Sequence, residues 1–176
     1  MIRTLWAAAL VVGVAGCATT LPSVTDPAAW TTGRLSLQVQ ASPDRSSQSL
    51  SAAFELRGGA TTGELRMLSP LGTLLVAASW NDKMATLSTP EGQRRFDNLD
   101  QLSQQALGET LPLAALPDWL AGKPWPQAAH QLQAEGFEQL GWQITTNRMG
   151  EGWITASRER PPRVNLRFKL DRADPP

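Results

Sequence analysis

The chain has 176 residues and a balanced charge, with 16 lysine and arginine side chains against 16 aspartate and glutamate side chains. A near-neutral balance argues against a nucleic-acid partner and against a polybasic membrane patch. The length suits one domain with one sizeable core, and the single cysteine excludes a disulfide framework and a metal site built on thiolates.

The N-terminal segment has the pattern of a bacterial export signal. Arg3 precedes an apolar run that is too short to cross a bilayer as a mature helix. The run ends in Val14-Ala15-Gly16-Cys17, which matches a bacterial lipobox; the alternative is a chance match in a conventional signal peptide. We expect residues 1–16 to be removed and Cys17 to carry the acyl chains of a lipid anchor. In lipoproteins of this type the neutral residue that follows, Ala18, implies the outer membrane.

A strand pattern follows a short polar segment. Residues 18–29 are small and polar with two prolines, which predicts a tether between the lipid and the fold. Over residues 33–96 apolar and polar side chains alternate, and turn residues recur about every ten positions. The pattern predicts a meander of short antiparallel strands that forms a strongly curved sheet or a barrel around its apolar face.

One turn of this meander, residues 68–73, carries an unexpected residue. Pro70 presets φ for a turn and Gly72 tolerates a positive φ. Leu71 lies between them, although turn tips are normally polar because they stand in water. Either Leu71 folds back onto the sheet, or it projects towards a membrane or a lipid. The lipobox favours the second interpretation.

The spacing of apolar residues then changes to a helical period. Residues 99–107 are predicted to form one helix and residues 111–120 a second, in which interior Pro117 predicts a kink or two short turns. Trp119 borders the leucine-rich face of the second helix. A helix this short is too small to be a domain, so we expect it to cover the open apolar face of the sheet. Strands then resume, at 129–134, 140–147, 153–159 and 164–170.

The chain shows no recognisable catalytic motif. It lacks a nucleophile elbow, a P-loop, a dinucleotide-binding glycine pattern and a zinc-protease helix motif. A lone histidine, His130, is more often a surface or structural residue, and the cluster Arg158-Glu159-Arg160 is interpreted as solvated surface. A glycosidase-type carboxylate pair stays open, since its partners can be distant in the chain. The sequence predicts a protein that is not an enzyme and uses no cofactor or metal.

Several of these segments resemble the outer-membrane lipoprotein LolB family. The resemblance implies an α+β fold, namely an incomplete (open) antiparallel β-barrel with short lid helices over an apolar cavity. It also implies one lipid-binding domain over residues 30–171, with 172–176 as a frayed tail. The similar segments are VAGC (14–17), Trp30-x-x-Gly33-Arg34, the Leu-Ser-Pro-Leu-Gly corner (68–72), LPLAALPDWLAGKP (111–124) and Phe137-x-Gln139-x-Gly141-Trp142.

The resemblance further implies a function. A monomer would receive lipoproteins from a soluble periplasmic carrier (LolA), hold their acyl chains in the cavity and place them in the inner leaflet of the outer membrane. The alternative is a lipid-anchored scaffold protein with a filled core. Leu71 corresponds to the protruding leucine required for that placement. The expected lid and cavity side chains are Leu35, Leu37, Phe54, Leu65, Met67, Leu74, Val76, Leu116, Trp119, Leu120, Trp142 and Ile144.

The C-terminal end departs from the family pattern. Family members usually end with two strands and a tryptophan, whereas this chain ends in PPRVNLRFKLDRADPP. The sequence therefore leaves open whether the closing edge of the barrel is complete.

Overall fold

The structure is a computed structural model that describes residues 29–41, 43, 46–107 and 109–171. The predicted signal peptide, Cys17, the tether up to residue 28 and the tail 172–176 lie outside the described residues, so they stay predictions.

In the described part of the chain, eleven antiparallel strands form one sheet. The sheet order is β6-β5-β4-β3-β2-β1-β11-β10-β9-β8-β7, so β6 and β7 are its two edges. The meander predicted over residues 33–96 is confirmed. The strands are β1 (Thr31–Val39), β2 (Gln48–Gly58), β3 (Gly63–Leu68), β4 (Leu74–Trp80), β5 (Ala85–Thr89), β6 (Gly92–Phe96), β7 (His130–Gln133), β8 (Gly136–Gln139), β9 (Trp142–Thr145), β10 (Trp153–Arg158) and β11 (Val164–Leu170).

Two short helices and a 3-10 turn connect the two halves of the sheet. Helix α1 spans Leu99–Leu107, a 3-10 turn spans Leu113–Ala115 and helix α2 spans Leu116–Leu120. Of the two forms predicted from Pro117, a kink or two short turns, the structure has the second, because proline is accepted in the first turn of a new helix but not inside a continuous one. Within the described residues, every helix is too short or too polar to cross a membrane.

The late strands differ from the prediction in one place. The single strand predicted over 140–147 is wrong at its start, because Leu140 and Gly141 form the turn of a β8–β9 hairpin in which Gln139 pairs with Trp142. The strand before that turn was missed. An apolar residue next to a glycine fits a strand pattern as well as a turn, so alternation alone could not place this boundary.

The last strand lies inside the sheet. β11 pairs with β1 from Gly33↔Leu170 to Val39↔Val164, and with β10 from Trp153↔Lys169 to Arg158↔Val164. The first and last strands of the chain are therefore neighbours, and the unusual C-terminal sequence leaves no gap between β1 and β10. Within the described residues, the edge strands β6 and β7 do not pair with each other, so the sheet is not closed into a barrel.

The sheet curves around the helices. Helix α2 contacts β2, and the indole nitrogen of Trp119 donates a hydrogen bond to Gln139 in β8. β2 and β8 are five strand spacings apart, about 24 Å along a flat sheet. Helix α2 is only about 7.5 Å long and about 10 Å across, so it can meet both strands only if the sheet wraps around it. This curvature agrees with an open barrel.

The core forms on the inner face of the wrapped sheet. Alternate residues of β1 are buried, and the register places Leu35 opposite Phe168 and Leu37 opposite Leu166. The ring of Phe54 meets the ring of Phe168 edge-on, with centroids 5.7 Å apart. The apolar face that period-two alternation predicted is therefore the face that β1, β2 and β11 share.

Trp30 fastens the start of β1 to the outer face of the sheet. The guanidinium groups of Arg57 and Arg66 both lie over its ring, each 4.5 Å from the centroid. Both arginines also pair with Glu64 at 2.7 Å. Burial acts to raise the pKa of Glu64, but hydrogen bonds from the two arginines outweigh it and leave the pKa below its usual value.

Candidate functional site

An entirely apolar space lies between the helical segment, defined as residues 111–120, and the inner face of the sheet. Its volume is about 40 Å³. A cavity of about 10–15 Å³ is enough to hold one water molecule, so the space has room for only a few. Only leucine, phenylalanine and methionine line it, namely Leu35, Leu37, Leu50, Phe54, Leu56, Leu65, Met67, Leu111, Leu113, Leu116, Leu120, Leu166 and Phe168.

A buried glutamine holds the opposite side of the helical segment. The side-chain oxygen of Gln139 accepts hydrogen bonds from the indole nitrogen of Trp119 and from the backbone nitrogen of Trp125, both at 2.8 Å. Its amide nitrogen donates to the backbone oxygens of Trp125 and Ala128, also at 2.8 Å. A fully bonded amide of this kind fixes both helix and loop, because each lost bond would leave a buried polar atom unpaired.

A buried ion pair holds the chain just before the helical segment. Arg158 in β10 donates to Glu109 at 2.8 Å and to the backbone oxygen of Pro162 at 3.1 Å. The two charged side chains are only 10% and 12% exposed, and the guanidinium lies 5.3 Å from the ring of Trp142. The interpretation of Arg158 as solvated surface is wrong, because it occupies an inward position of β10 and Glu109, distant in sequence, neutralises it.

The β3–β4 turn presents Leu71 to solvent on a rigid loop. Leu71 is 94% exposed, so it does not fold back onto the sheet. Ser69 fixes the turn, since its backbone oxygen accepts from the nitrogen of Gly72 at 2.9 Å and its hydroxyl accepts from the nitrogens of Leu71 and Thr73 at 3.3 and 3.2 Å. Gly72 has a φ of 81°, which a residue with a side chain rarely adopts.

Comparison with known proteins assigns the chain to a family. The family model described as outer membrane lipoprotein LolB matches residues 29–172. The chain belongs to the LolB family. It is therefore an outer-membrane lipoprotein of the lipoprotein-localisation system, and this family is not one of enzymes.

Three relatives, each named outer-membrane lipoprotein LolB, illustrate the similarity. The protein of Bordetella petrii is 30% identical over 92% of this chain and 88% of the relative. That of Chromobacterium violaceum is 29% identical over 94% of this chain and 92% of the relative. That of Ralstonia nicotianae is 37% identical over 57% of this chain, and the match spans about half of the relative, 52%.

The structure brings seven of the expected lid and cavity residues to the apolar space and places five elsewhere. Leu74 is 46% exposed beside the Leu71 turn, and Val76 is half-buried. Trp119, Trp142 and Ile144 are buried on the Gln139 side of the helical segment, where the two tryptophan rings lie 6.2 Å apart. The seven that line the space are Leu35, Leu37, Phe54, Leu65, Met67, Leu116 and Leu120.

Six lining residues were missed. The signal for four of them was present, because Leu50 and Leu56 alternate in step with Phe54, and Leu166 and Phe168 alternate on β11. What the sequence did not show was that β11 pairs with β1 and so joins this wall. The other two are Leu111 and Leu113, of which Leu113 was predicted to share the leucine face with Leu116 and Leu120 but was not named as a lining residue. Leu113 lies in the 3-10 turn, and Leu111 comes just before it.

The described part of the chain contains no group of three histidine, cysteine, aspartate or glutamate side chains that could hold a metal ion. His130 lies exposed at the start of the edge strand β7. The polar side chains that the fold buries within the described residues are Ser103, Gln139 and Arg158. All three hold the helical segment or the chain before it, since the Ser103 hydroxyl accepts a hydrogen bond from the backbone nitrogen of Leu111 at 3.1 Å.

Proposed function

We propose that this protein receives lipoproteins from the periplasmic LolA carrier, holds their acyl chains between the helical segment and the sheet, and transfers them to the inner leaflet of the outer membrane. The observation that carries the proposal is the composition of the space beneath the helical segment. Its wall offers no hydrogen-bonding side chain, so it suits hydrocarbon and does not distinguish cargo proteins by their amino-acid sequences. One such site could serve many cargo proteins.

The energetics of acyl chains require such a site. Each methylene exposed to water costs about 0.8 kcal/mol, so three long chains cost roughly 30 kcal/mol or more. A lipoprotein therefore cannot cross the periplasm uncovered, and the acceptor must cover the chains as the carrier does. Transfer needs no nucleotide if each step from carrier to acceptor to bilayer is downhill in free energy.

The helical segment must move for an acyl chain to enter. A space of about 40 Å³ cannot hold a chain of many methylenes. On the side facing β1, β2 and β3, leucine side chains of the segment meet apolar strand residues, and such contacts are non-directional. On the other side Gln139 bonds Trp119. We infer that the segment swings away from β1–β3 and stays attached at Gln139.

Leu71 supplies the contact with the leaflet. A leucine side chain gains about 1.5–3 kcal/mol when it leaves water, which orients a protein but does not anchor it. Anchoring falls to the acyl chains on Cys17. Leu74 and Leu75, which are 46% and 42% exposed, enlarge the apolar tip around Leu71.

Delivery of a fluorescent lipoprotein from the carrier to liposomes tests the Leu71 contact. Leu71→Glu should fold normally, because the side chain touches little, and should slow delivery at least tenfold. Leu132→Glu is the matched control, since Leu132 is 73% exposed on the edge strand β7. Normal delivery by Leu71→Glu would remove this role.

Binding of a fluorescent fatty acid to the full chain separates the proposal from a scaffold lipoprotein with a filled core, which the small space also suits. Saturable binding at one site is expected, and Leu113→Gln should weaken it because a polar atom then enters the wall. A folded protein that binds no probe would favour the scaffold.

A further inference from the structure

The β8–β9 hairpin has a leucine at a turn position where leucine is disfavoured. Gln139 and Trp142 pair, so Leu140 and Gly141 are the two residues of the loop. Their φ values are 56° and 75°. Two-residue loops with both φ values positive favour asparagine or aspartate followed by glycine, and Leu140 is the one residue other than glycine with positive φ in the described chain.

The side chain of Leu140 gains little from the fold in return. It is 45% exposed, whereas its neighbours Gln139 and Trp142 are each 2% exposed. A leucine that is both strained and half in water does not stabilise this turn, and asparagine would form it more favourably. Strain at an exposed apolar residue therefore points to a use outside the folded core.

The turn lies at the same end of the sheet as Leu71. The Leu71 turn leaves β3 in the direction in which β2 begins, and the start of β2 pairs with the end of β1, the start of β11 and the end of β10 in turn (Gln48↔Val39↔Val164↔Arg158). Along the register Leu68 itself is level with Ala53, Arg34 and Lys169, so the Leu71 turn leaves the sheet five residues before the level of Val39 and Val164. Ser157↔Gln143 carries the alignment to β9, and the β8–β9 turn follows just beyond. Four strands, β2, β1, β11 and β10, separate the two leucine turns.

Both leucines stand on turns that polar side chains hold in place. The Ser69 hydroxyl bonds the backbone of the Leu71 turn, and the four hydrogen bonds of Gln139 fix the residue just before Leu140. Between the two turns, Arg160 is exposed in the β10–β11 connection at the same end. A cation flanked by two apolar tips matches a surface of anionic headgroups over hydrocarbon.

We propose that Leu140 is a second membrane-contacting tip, which together with the Leu71 turn seats this end of the sheet on a phospholipid bilayer. The inference rests on the proposed function, which supplies the bilayer. Two contacts on opposite sides of β1 and β11 fix the tilt of the domain, whereas a single tip would leave it free to rock. The apolar space beneath the helical segment is then held at a constant orientation to the leaflet.

Leu140→Asn tests this in the full chain, because it removes the apolar tip and keeps the turn. Its Tm should equal or exceed that of the parent, by about 2 °C, since asparagine accepts the positive φ. Carrier-to-liposome delivery should slow about fivefold, as expected for partial burial of one leucine. Leu132→Asn, at an exposed leucine near the other end of the sheet, should deliver at the parent rate. Delivery by Leu140→Asn at the parent rate would overturn the inference.

Photo-crosslinking identifies what Leu140 touches. The full chain carrying p-benzoylphenylalanine at position 140, in vesicles of phosphatidylethanolamine and phosphatidylglycerol, should form lipid adducts, and the same probe at position 132 should not. No lipid adduct at position 140, or equal lipid adducts at positions 140 and 132, would overturn the inference. A failure of the proposed function is distinguishable, because the parent would then deliver no cargo while position 140 could still crosslink to lipid.

Discussion

The helical segment is attached to the sheet in two different ways on its two sides. Towards β1, β2 and β3 it offers leucines to other apolar side chains around a space of about 40 Å³. Towards β8 it is bonded by Gln139, and the chain just before it is paired to β10 through Arg158 and Glu109. Apolar contacts on the first side have no directional requirement, whereas the hydrogen bonds of Gln139 on the second side need one geometry.

In the proposed function, this difference makes one short segment both fixed and movable. Apolar contacts lose little when one partner is exchanged for another hydrocarbon, so the proposal has an acyl chain replace strand leucines there. A buried hydrogen bond has no such substitute, because a separated donor and acceptor both stay unpaired. The expected changes below test this difference, from the largest effect to the smallest.

Removal of the Gln139 amide should have the largest effect. Gln139→Leu leaves the Trp119 indole nitrogen and three backbone groups without their partner, and should lower the free energy of unfolding by about 4 kcal/mol. Urea denaturation measures it. Gln133→Leu, at an exposed position of β7, should change the free energy of unfolding by less than about 0.5 kcal/mol. A similar small change for Gln139→Leu would mean that the network does not hold the segment.

Truncation of a leucine on the apolar side of the helical segment should lower the free energy of unfolding by a smaller amount. Leu116→Ala removes a buried side chain next to an existing space, and should lower the free energy of unfolding by about 3 kcal/mol. Leu116→Met, which nearly conserves volume, should cost under about 1.5 kcal/mol. Calorimetry with and without a fatty acid would check the comparison. The ligand should restore stability to Leu116→Ala and not to Gln139→Leu, and equal restoration would contradict it.

Breaking the buried ion pair between Arg158 and Glu109 should have the third-largest effect on the free energy of unfolding. Glu109→Gln keeps the shape of the side chain but leaves Arg158 buried without a counter-charge, at a cost of about 2 kcal/mol. Glu159→Gln breaks an ion pair with Arg163 in which the glutamate is 80% exposed, and should cost under about 0.5 kcal/mol. Chemical denaturation at two salt concentrations would compare them, and equal costs would refute the special status of the buried pair.

The smallest expected effect concerns Asp118 in α2. Burial raises the pKa of its carboxyl group, against a lowering by Lys123. A raised folded-state pKa means that the folded protein binds this proton more tightly than the unfolded chain. Stability is therefore reduced at neutral pH and recovered as the pH falls through the folded-state pKa.

Asp118→Asn should consequently stabilise the protein slightly at pH 7, within about 0.5 kcal/mol, and remove part of the gain on acidification. Asp82→Asn, in the exposed β4–β5 turn, is the control. Thermal denaturation from pH 4 to 7 measures both, and a loss of stability in Asp118→Asn at pH 7 would show that the charge is favourable there.

The sequence predicted most of the sheet because strand alternation is a local signal. Alternation over residues 33–96 predicted the strands and their apolar face, and Pro117 predicted an interruption of the second helix. The β8–β9 turn was missed because Leu140 fits a strand pattern, and its positive φ has no signal in composition. Arg158 was assigned to solvent because its partner Glu109 is distant in the chain, and Leu74 was assigned to the cavity although it lies at the exposed end of β4.

By itself the sequence determined the apolar face of most strands, the turn that carries Leu71 and the family that the chain resembles, since periodicity, turn chemistry and motifs are properties of neighbouring residues. Only the tertiary structure decided which strands pair and which apolar faces pack against each other. Pairing of β11 with β1 completed the apolar lining, and curvature of the sheet brought Gln139 under Trp119. Long-range register brought the Leu71 and Leu140 turns to one end of the sheet. These results depend on strand pairing between distant segments, which no local pattern specifies.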